Sequence, residues 1–330
     1  MEASRLNYLG IDVGSVSTDI VIIDEEEKLL TGLYLRTGGD PIRAVKDGFL
    51  GIKAEFGGGL KIDGVGVTGS ARFLIGAVVG ADIIKNEITA HATAGLQFNP
   101  NVQTIIEIGG QDSKIIIIRD GIVVDFAMNS VCAAGTGSFL DHQAQRLGIP
   151  IEEFGDVALK SEKPARIAGR CTVFAESDMI HKQQLGHKKE DILFGLCEAL
   201  VRNYLSNVGR GKEILPPVIF QGGVAANKGI RLAFEKALRT EIIVPPYFSL
   251  MGAIGAAILA HEARITHTNF KGFEITEQEI NTRDFECRGC SNLCEITNIF
   301  IDGKLVGRLG GRCGRWENIE NENLLEVSKY

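Results

Sequence analysis

Two stretches of the chain carry the same order of apolar and polar positions. The first runs Leu9, Gly10, Ile11, Asp12, Val13, Gly14, Ser15, Val16, Ser17, Thr18, then Ile20 to Ile23, and turns at Asp24-Glu25. The second runs Ile105, Ile106, Glu107, Ile108, Gly109, Gly110, Gln111, Asp112, Ser113, Lys114, then Ile115 to Ile118, and turns at Asp120-Gly121. The copies superpose without a gap at a displacement of 95 residues, Asp12 onto Glu107. Each predicts a buried strand, a turn holding an acid and glycines, and a second buried strand. Asp-Gly at the end of the second copy is a hairpin signal.

Elsewhere the period lengthens to that of a helix. Phe139, Leu140, Ala144 and Leu147 predict a helix from about Gly137, and Phe174, Ala175, Ile180 and Leu185 another after Cys171. Ile192, Leu193, Leu196, Leu200 and Tyr204 form one apolar face on which Cys197 reads as a core thiol. Pro217 to Phe220 predicts a strand, and Gln221 to Asn227 the glycine-rich turn before a helix over 228–239. Small residues through Ser249–Ala257 permit a helix to pack closely on a sheet.

At 330 residues, 45% hydrophobic and 23% charged, the chain is long enough for two or three domains. A net charge of −7 supplies no basic field for nucleic acid. No stretch has the length and apolar continuity of a membrane span, and the polar start Met1–Asn7 runs straight into a strand. Seven cysteines without a secretory leader suit a reducing compartment with metal sites better than a disulfide framework. The expectation is a cytoplasmic, oxygen-sensitive protein.

The turns carry the candidate chemistry. Glycines let backbone N–H groups approach phosphate oxygens, and Asp12, Glu107 and Asp112 can hold hydrated Mg2+ or orient water. One acid before a glycine is also an ordinary turn; a gapless second copy argues against that for the pair. Cys132 opens Cys-Ala-Ala-Gly-Thr-Gly-Ser138, and Cys171 closes Gly-Arg-Cys. Two thiolates are half of what a 4Fe-4S cluster takes, and a two-fold dimer supplies the other half. Two buried structural thiols are the alternative.

The paired hairpins resemble the phosphate 1 and phosphate 2 loops of the superfamily of actin, the heat-shock chaperones and the sugar kinases, which duplicates one α/β lobe and binds ATP in the cleft. Glu107–Lys114, Asn129–Leu140 and Gly169–Asp178 together resemble the ATP-dependent activators of 2-hydroxyacyl-CoA dehydratases and benzoyl-CoA reductases, over about residues 6–268. The resemblance implies an α/β fold of duplicated actin-like ATPase lobes, the first over 1–95 with 250–268 and the second over 96–249. A small cysteine-rich module over 269–330 would follow. It further implies an ATPase that drives one-electron transfer to an iron-sulfur dehydratase or reductase, a homodimer sharing one 4Fe-4S cluster through Cys132 and Cys171, and ferredoxin or flavodoxin as electron donor.

By the same likeness ATP or ADP with Mg2+ would meet Asp12, Gly14, Ser15, Val16, Ser17, Thr18, Gly109, Gly110, Gln111, Asp112, Gly135, Thr136, Gly137, Gly222, Gly223, Val224 and Asn227. Two positions depart from the pattern. Asp19 stands where the superfamily often has lysine, leaving Lys114 to compensate phosphate charge. Glu107 stands where aspartate is usual, which leaves Gln111 and Asp112 as the residues expected to orient the attacking water. A small-molecule kinase, which would not need Cys132 or Cys171, and a nucleotide-switched scaffold whose tail binds zinc are the alternative readings.

Beyond residue 269 the composition shifts, and Cys287, Cys290, Cys294 and Cys313 offer four thiolates around a hairpin turned at Asp302-Gly303. Tetrahedral zinc and a second 4Fe-4S cluster both suit that spacing. Glu87 and His91, one helical turn apart, read as a hydrogen-bonded contact, and His181 and His187 among lysines as a solvated surface.

Overall fold

The computed structural model describes residues 6–57, 59–129, 135–169 and 171–316. The chain divides into two compact units, residues 1–87 with 252–330, and residues 88–251.

The first unit opens with β1 (Asn7–Val13), β2 (Ser17–Asp24) and β3 (Leu29–Arg36), an antiparallel meander. Helix α1 (Pro41–Phe56) follows; Asp40 caps it by accepting the Arg43 N–H at 2.9 Å, with Pro41 in the first turn. Next come β4 (Gly64–Thr68), α2 (Arg72–Val79) and the short β5 (Ile83–Ile84). The sheet order is β3-β2-β1-β4-β5, with β4 parallel to both its neighbours.

The second unit repeats this topology. Helix α3 (Glu87–Phe98) leads into β6 (Thr104–Ile108), β7 (Ser113–Arg119) and β8 (Ile122–Asn129), again an antiparallel meander. Helices α4 (Gly137–Leu147), α5 (Ile151–Ala158), α6 (Thr172–Gln184) and α7 (Lys189–Asn207) precede β9 (Val218–Gln221), α8 (Lys228–Leu238) and β10 (Ile242–Ile243). The order β10-β9-β6-β7-β8 is that of the first sheet read from the other edge.

Isoleucines of β6 and β7 point alternately to two covers, as the two-residue period of a strand requires. Ile106, Ile108, Ile115 and Ile117 pack with Tyr204, Phe220 and Phe234 in the large core, while Ile105, Ile116 and Ile118 meet Ile88, Ala92 and Leu96 of α3. That packing assigns α3 to the second unit, so the boundary falls at residue 87 rather than at the expected 95.

Helix α9 (Met251–Glu262) returns the chain to the first unit. A Cβ on Gly10 would lie 2.0 Å from the Ala253 carbonyl oxygen, and one on Gly66 1.9 Å from that of Ala256, so these strand glycines let the small-residue helix lie directly on the sheet.

Residues 269–330 were expected to form a separate module. They do form their own antiparallel sheet, β11 (Ile280–Glu286), β12 (Glu295–Ile301) and β13 (Lys304–Leu309), with Asp302 and Gly303 at positive φ in the turn. The sheet is not an independent unit, because Phe273, Ile275, Ile299 and Ile301 enter the core of the first unit beside Phe49, Ile75 and Val78. Among the described residues no helix is long and apolar enough to cross a membrane.

Candidate nucleotide site and cysteine clusters

In the first unit the β1–β2 turn is closed by the Gly14 N–H donating to the Ser17 carbonyl at 2.8 Å. Thr37 clamps it from β3's end: its N–H donates to the Val16 carbonyl at 2.9 Å and its hydroxyl to the Gly14 carbonyl at 2.8 Å. The Thr18 hydroxyl is 3.0 Å from that of Thr37, so Thr18 holds the loop from within while Ser15 is exposed at the tip. Asp12 lies directly opposite Asp19 in the ladder.

In the second unit the corresponding pair is Glu107 opposite Lys114. Lys114 Nζ is 2.9 Å from Glu107 Oε2 and 2.9 Å from Asp112 Oδ2, and its side chain is 3% exposed. Lys114 was expected to compensate nucleotide phosphate; its ammonium joins two carboxylates of its own loop. Its backbone is pinned as well, since the buried Tyr204 hydroxyl donates to the Lys114 carbonyl at 2.7 Å. Burial and the nearby Glu107 raise the Tyr204 phenol well above its ordinary range, keeping it a protonated donor.

Three glycine turns gather around this triad. The Gly109 N–H closes the β6–β7 turn on the Asp112 carbonyl at 3.0 Å. The Gly137 N–H donates to the Gly109 carbonyl at 2.9 Å, and Ser138 gives both its N–H, at 2.8 Å, and its hydroxyl to the Gly110 carbonyl. The first turn of α4 is therefore strapped to the loop. Gly222 has φ 87°, and a Cβ there would sit 2.5 Å from the Ile108 carbonyl oxygen and 2.7 Å from Glu107 Oε1. Only glycine lets the turn after β9 close on Glu107.

Gly222, Gly137, Gly109, Gly110 and Val224 thus meet: a Cβ on Gly137 would lie 3.1 Å from both Val224 Cγ2 and the Gly109 carbonyl oxygen. Asn227 stands further along, capping α8 by accepting the Ile230 N–H at 3.1 Å. Gln111 is exposed at the turn, whereas Gly135 and Thr136 are buried and Gly223 is exposed.

Sequence reasoning included Asn227 and missed Ser113 and Gln221 beneath these turns. Among the described residues Ser113 Oγ, Gln221 Oε1 and Asn227 Nδ2 are buried without a hydrogen-bond partner, while the Gln221 amide nitrogen reaches His91 Nδ1 at 3.0 Å. Buried polar atoms normally find partners, so three left over around glycine turns fit a polar ligand. Their one sequence signal was adjacency to the turns.

Cys171 is half-buried and is the N-cap residue of α6, with extended backbone and a side chain that makes no cap bond. A thiolate there faces the positive end of the helix, which fits a cluster ligand. Its expected partner Cys132 lies outside the described residues. Cys197 is fully buried, and burial pushes its thiol up, as suits a core residue.

In the C-terminal sheet Cys287 is buried, Cys294 half-buried, and Cys290 and Cys313 exposed. The Cys287 N–H donates to the Cys294 carbonyl at 2.7 Å, closing the loop between β11 and β12. The Trp316 indole N–H and the Gly289 N–H, with Arg315 nearby, hold the Cys287 thiol below its ordinary range. Among the described residues no three His, Cys, Asp or Glu side chains are gathered so as to hold a metal ion, here or elsewhere.

The duplicated topology agrees with what comparison with known proteins finds. Residues 9–260 match the BadF/BadG/BcrA/BcrD ATPase family. The chain belongs to that family. The (R)-2-hydroxyglutaryl-CoA dehydratase activating ATPase of Acidaminococcus fermentans is 33% identical over 258 residues, 77% of this chain and 96% of the relative. The crystal structure of component A of that dehydratase superposes with a TM-score of 0.71 at 33% identity, covering 78% of this chain and 98% of the other. The activator of 2-hydroxyisocaproyl-CoA dehydratase from Clostridium difficile with bound ADPNP gives a TM-score of 0.70 at 33% identity, covering 78% and 95%. As a BadF/BadG/BcrA/BcrD ATPase the chain has the fold of the actin-like ATPases and sugar kinases, and the four-cysteine segment lies beyond the matched residues.

Proposed function

We propose that this chain is an ATP-driven one-electron reductase that activates a dehydratase or reductase carrying its own iron-sulfur cluster. The observation that carries this reading is Cys171 at the N-cap of α6, within a chain of a family whose relatives are named as dehydratase activators. Two copies would share one 4Fe-4S cluster through Cys132 and Cys171 of each. A 4Fe-4S cluster, when bound, takes up and releases one electron. Ferredoxin or flavodoxin would supply that electron, and the reducing cytoplasm would keep the thiolates free of disulfide.

The chain's own residues divide the work of hydrolysis. Gln111, exposed at the turn, and Asp112, fixed by Lys114, orient the water that attacks the terminal phosphate of ATP. Gly14, Gly109, Gly110 and Gly223 carry no side chain to keep phosphate oxygens from the backbone. Mg2+ takes oxygen donors, and Asp12 with Asp19 opposite it are the carboxylates of the first loop that fit the ion. The Cys171 helix end stabilises added negative charge, so a rotation of α6 tied to the nucleotide would change the potential felt at its N-terminus.

The C-terminal cysteines are a second metal proposal, zinc or a further cluster. Cys290, Cys294 and Cys313 would have to turn in toward Cys287, and zinc and iron counts on Cys287→Ser decide it.

The function itself is tested by mixing dithionite-reduced, anaerobic protein with a one-electron acceptor. Delivery that is fast with MgATP and slow with MgADP supports the reading; a rate indifferent to nucleotide contradicts it.

A further inference from the structure

We propose that Lys114 is the built-in cation of the second phosphate loop, a positioning residue that fixes Glu107 and Asp112 and never touches the nucleotide. The inference rests on the reading of this site as an ATPase site. Its geometry is specific: one ammonium lies 2.9 Å from a carboxylate oxygen of each acid, and the lysine and Glu107 side chains are 3% and 5% exposed. Two carboxylates drawn together in a poorly solvated turn repel each other and need a cation between them.

The internal repeat shows that the cation is particular to this loop. Lys114 occupies the place of Asp19 in the first copy, where the same cross-strand position faces Asp12 with a second acid. The first loop therefore places two carboxylates opposite each other, whereas the second pairs its acid with a cation of the same loop. The surroundings are shaped to that end. Gly109 comes within 3.1 Å of Asp112 Oδ1 at its would-be Cβ, Gly222 within 2.7 Å of Glu107 Oε1, and the Tyr204 hydroxyl holds the lysine backbone. With its ammonium enclosed by its own loop, Lys114 orients Asp112 toward water and keeps Glu107 from swinging into the space that phosphate needs.

A positioning role predicts a split between kcat and KM that a phosphate ligand would not give. ATP hydrolysis by the full chain is measured for the wild type, Lys114→Arg, Lys114→Met and Lys114→Ala. The result expected is a kcat lower by about 10- to 100-fold in the methionine and alanine variants, the scale of a misplaced catalytic group, with KM for MgATP nearly unchanged. Ammonium or methylammonium chloride should restore part of the alanine variant's rate, sodium chloride at equal ionic strength should not, and Lys114→Arg should retain more activity than Lys114→Met. Should the single variants fail to fold, Glu107→Gln with Lys114→Met removes both charges; it should be folded, slow and deaf to amines. A raised KM with kcat intact, or a loss that amines never relieve in folded Lys114→Ala, overturns the proposal. A wild type that does not hydrolyse ATP overturns the functional reading instead.

Discussion

Lys114 and Glu107 face each other across the β6–β7 ladder with Nζ 2.9 Å from Oε2, and the equivalent positions of the first hairpin are Asp19 and Asp12. One duplicated scaffold thus carries two different charge arrangements at the same place. Removing one partner of a buried pair leaves the other exposed to the full cost of burial. Glu107 is more enclosed than Asp112, whose side chain is 30% exposed. Glu107→Gln should therefore destabilise the fold by about 1–3 kcal/mol, and Asp112→Asn by less, as read from urea midpoints at constant m-value.

The strap between α4 and the second loop is expected to matter for binding as well as stability. Ser138→Ala removes the hydroxyl bond to Gly110 and keeps the backbone bonds. A loss of about 1 kcal/mol in stability should accompany a higher KM for MgATP, because the loop that meets phosphate is less well held. An unchanged KM would separate the strap from nucleotide binding.

Gly222→Ala should abolish hydrolysis. The residue has φ 87°, and its Cβ would overlap the Ile108 carbonyl and Glu107. The turn must shift, at a cost of about 1–3 kcal/mol for the backbone alone. Circular dichroism should show a folded protein, and ATPase assays a rate near background.

Asp191 gives the acid side of the stability profile. It accepts the Lys163 N–H at 3.0 Å and the Ser161 hydroxyl at 2.7 Å, and these bonds hold its carboxyl below the usual range. A depressed carboxylate stabilises the fold above its unfolded value, about 3.9, and that contribution is lost as pH falls through the folded value. Asp191→Asn should thus be less stable than the wild type at pH 7 by about 1–2 kcal/mol, and the gap should close below about pH 4. A gap that persists in acid would assign the loss to packing.

The paired hairpins, the helices after Gly137 and Cys171 and the returning small-residue helix were legible because their apolar periods are long and unambiguous. Side-chain partners were less so. The ion pairs of Lys114 depend on cross-strand register, and nothing in the sequence around Gly137 shows that the Gly109 carbonyl takes its N–H. The C-terminal sheet looked self-contained, since Phe273, Ile275 and Ile299 carry no mark of the core they enter. Cys132, central to the shared-cluster reading, lies outside the described residues, whereas Cys171 stands at a helix N-cap as its motif suggested.

The most direct test of the account is the iron and sulfide content of the full chain purified without oxygen, beside Cys132→Ala and Cys171→Ala. One 4Fe-4S cluster shared by a dimer predicts about two irons per chain, lost in either variant. Iron that is absent from the wild type, or indifferent to both substitutions, would contradict it.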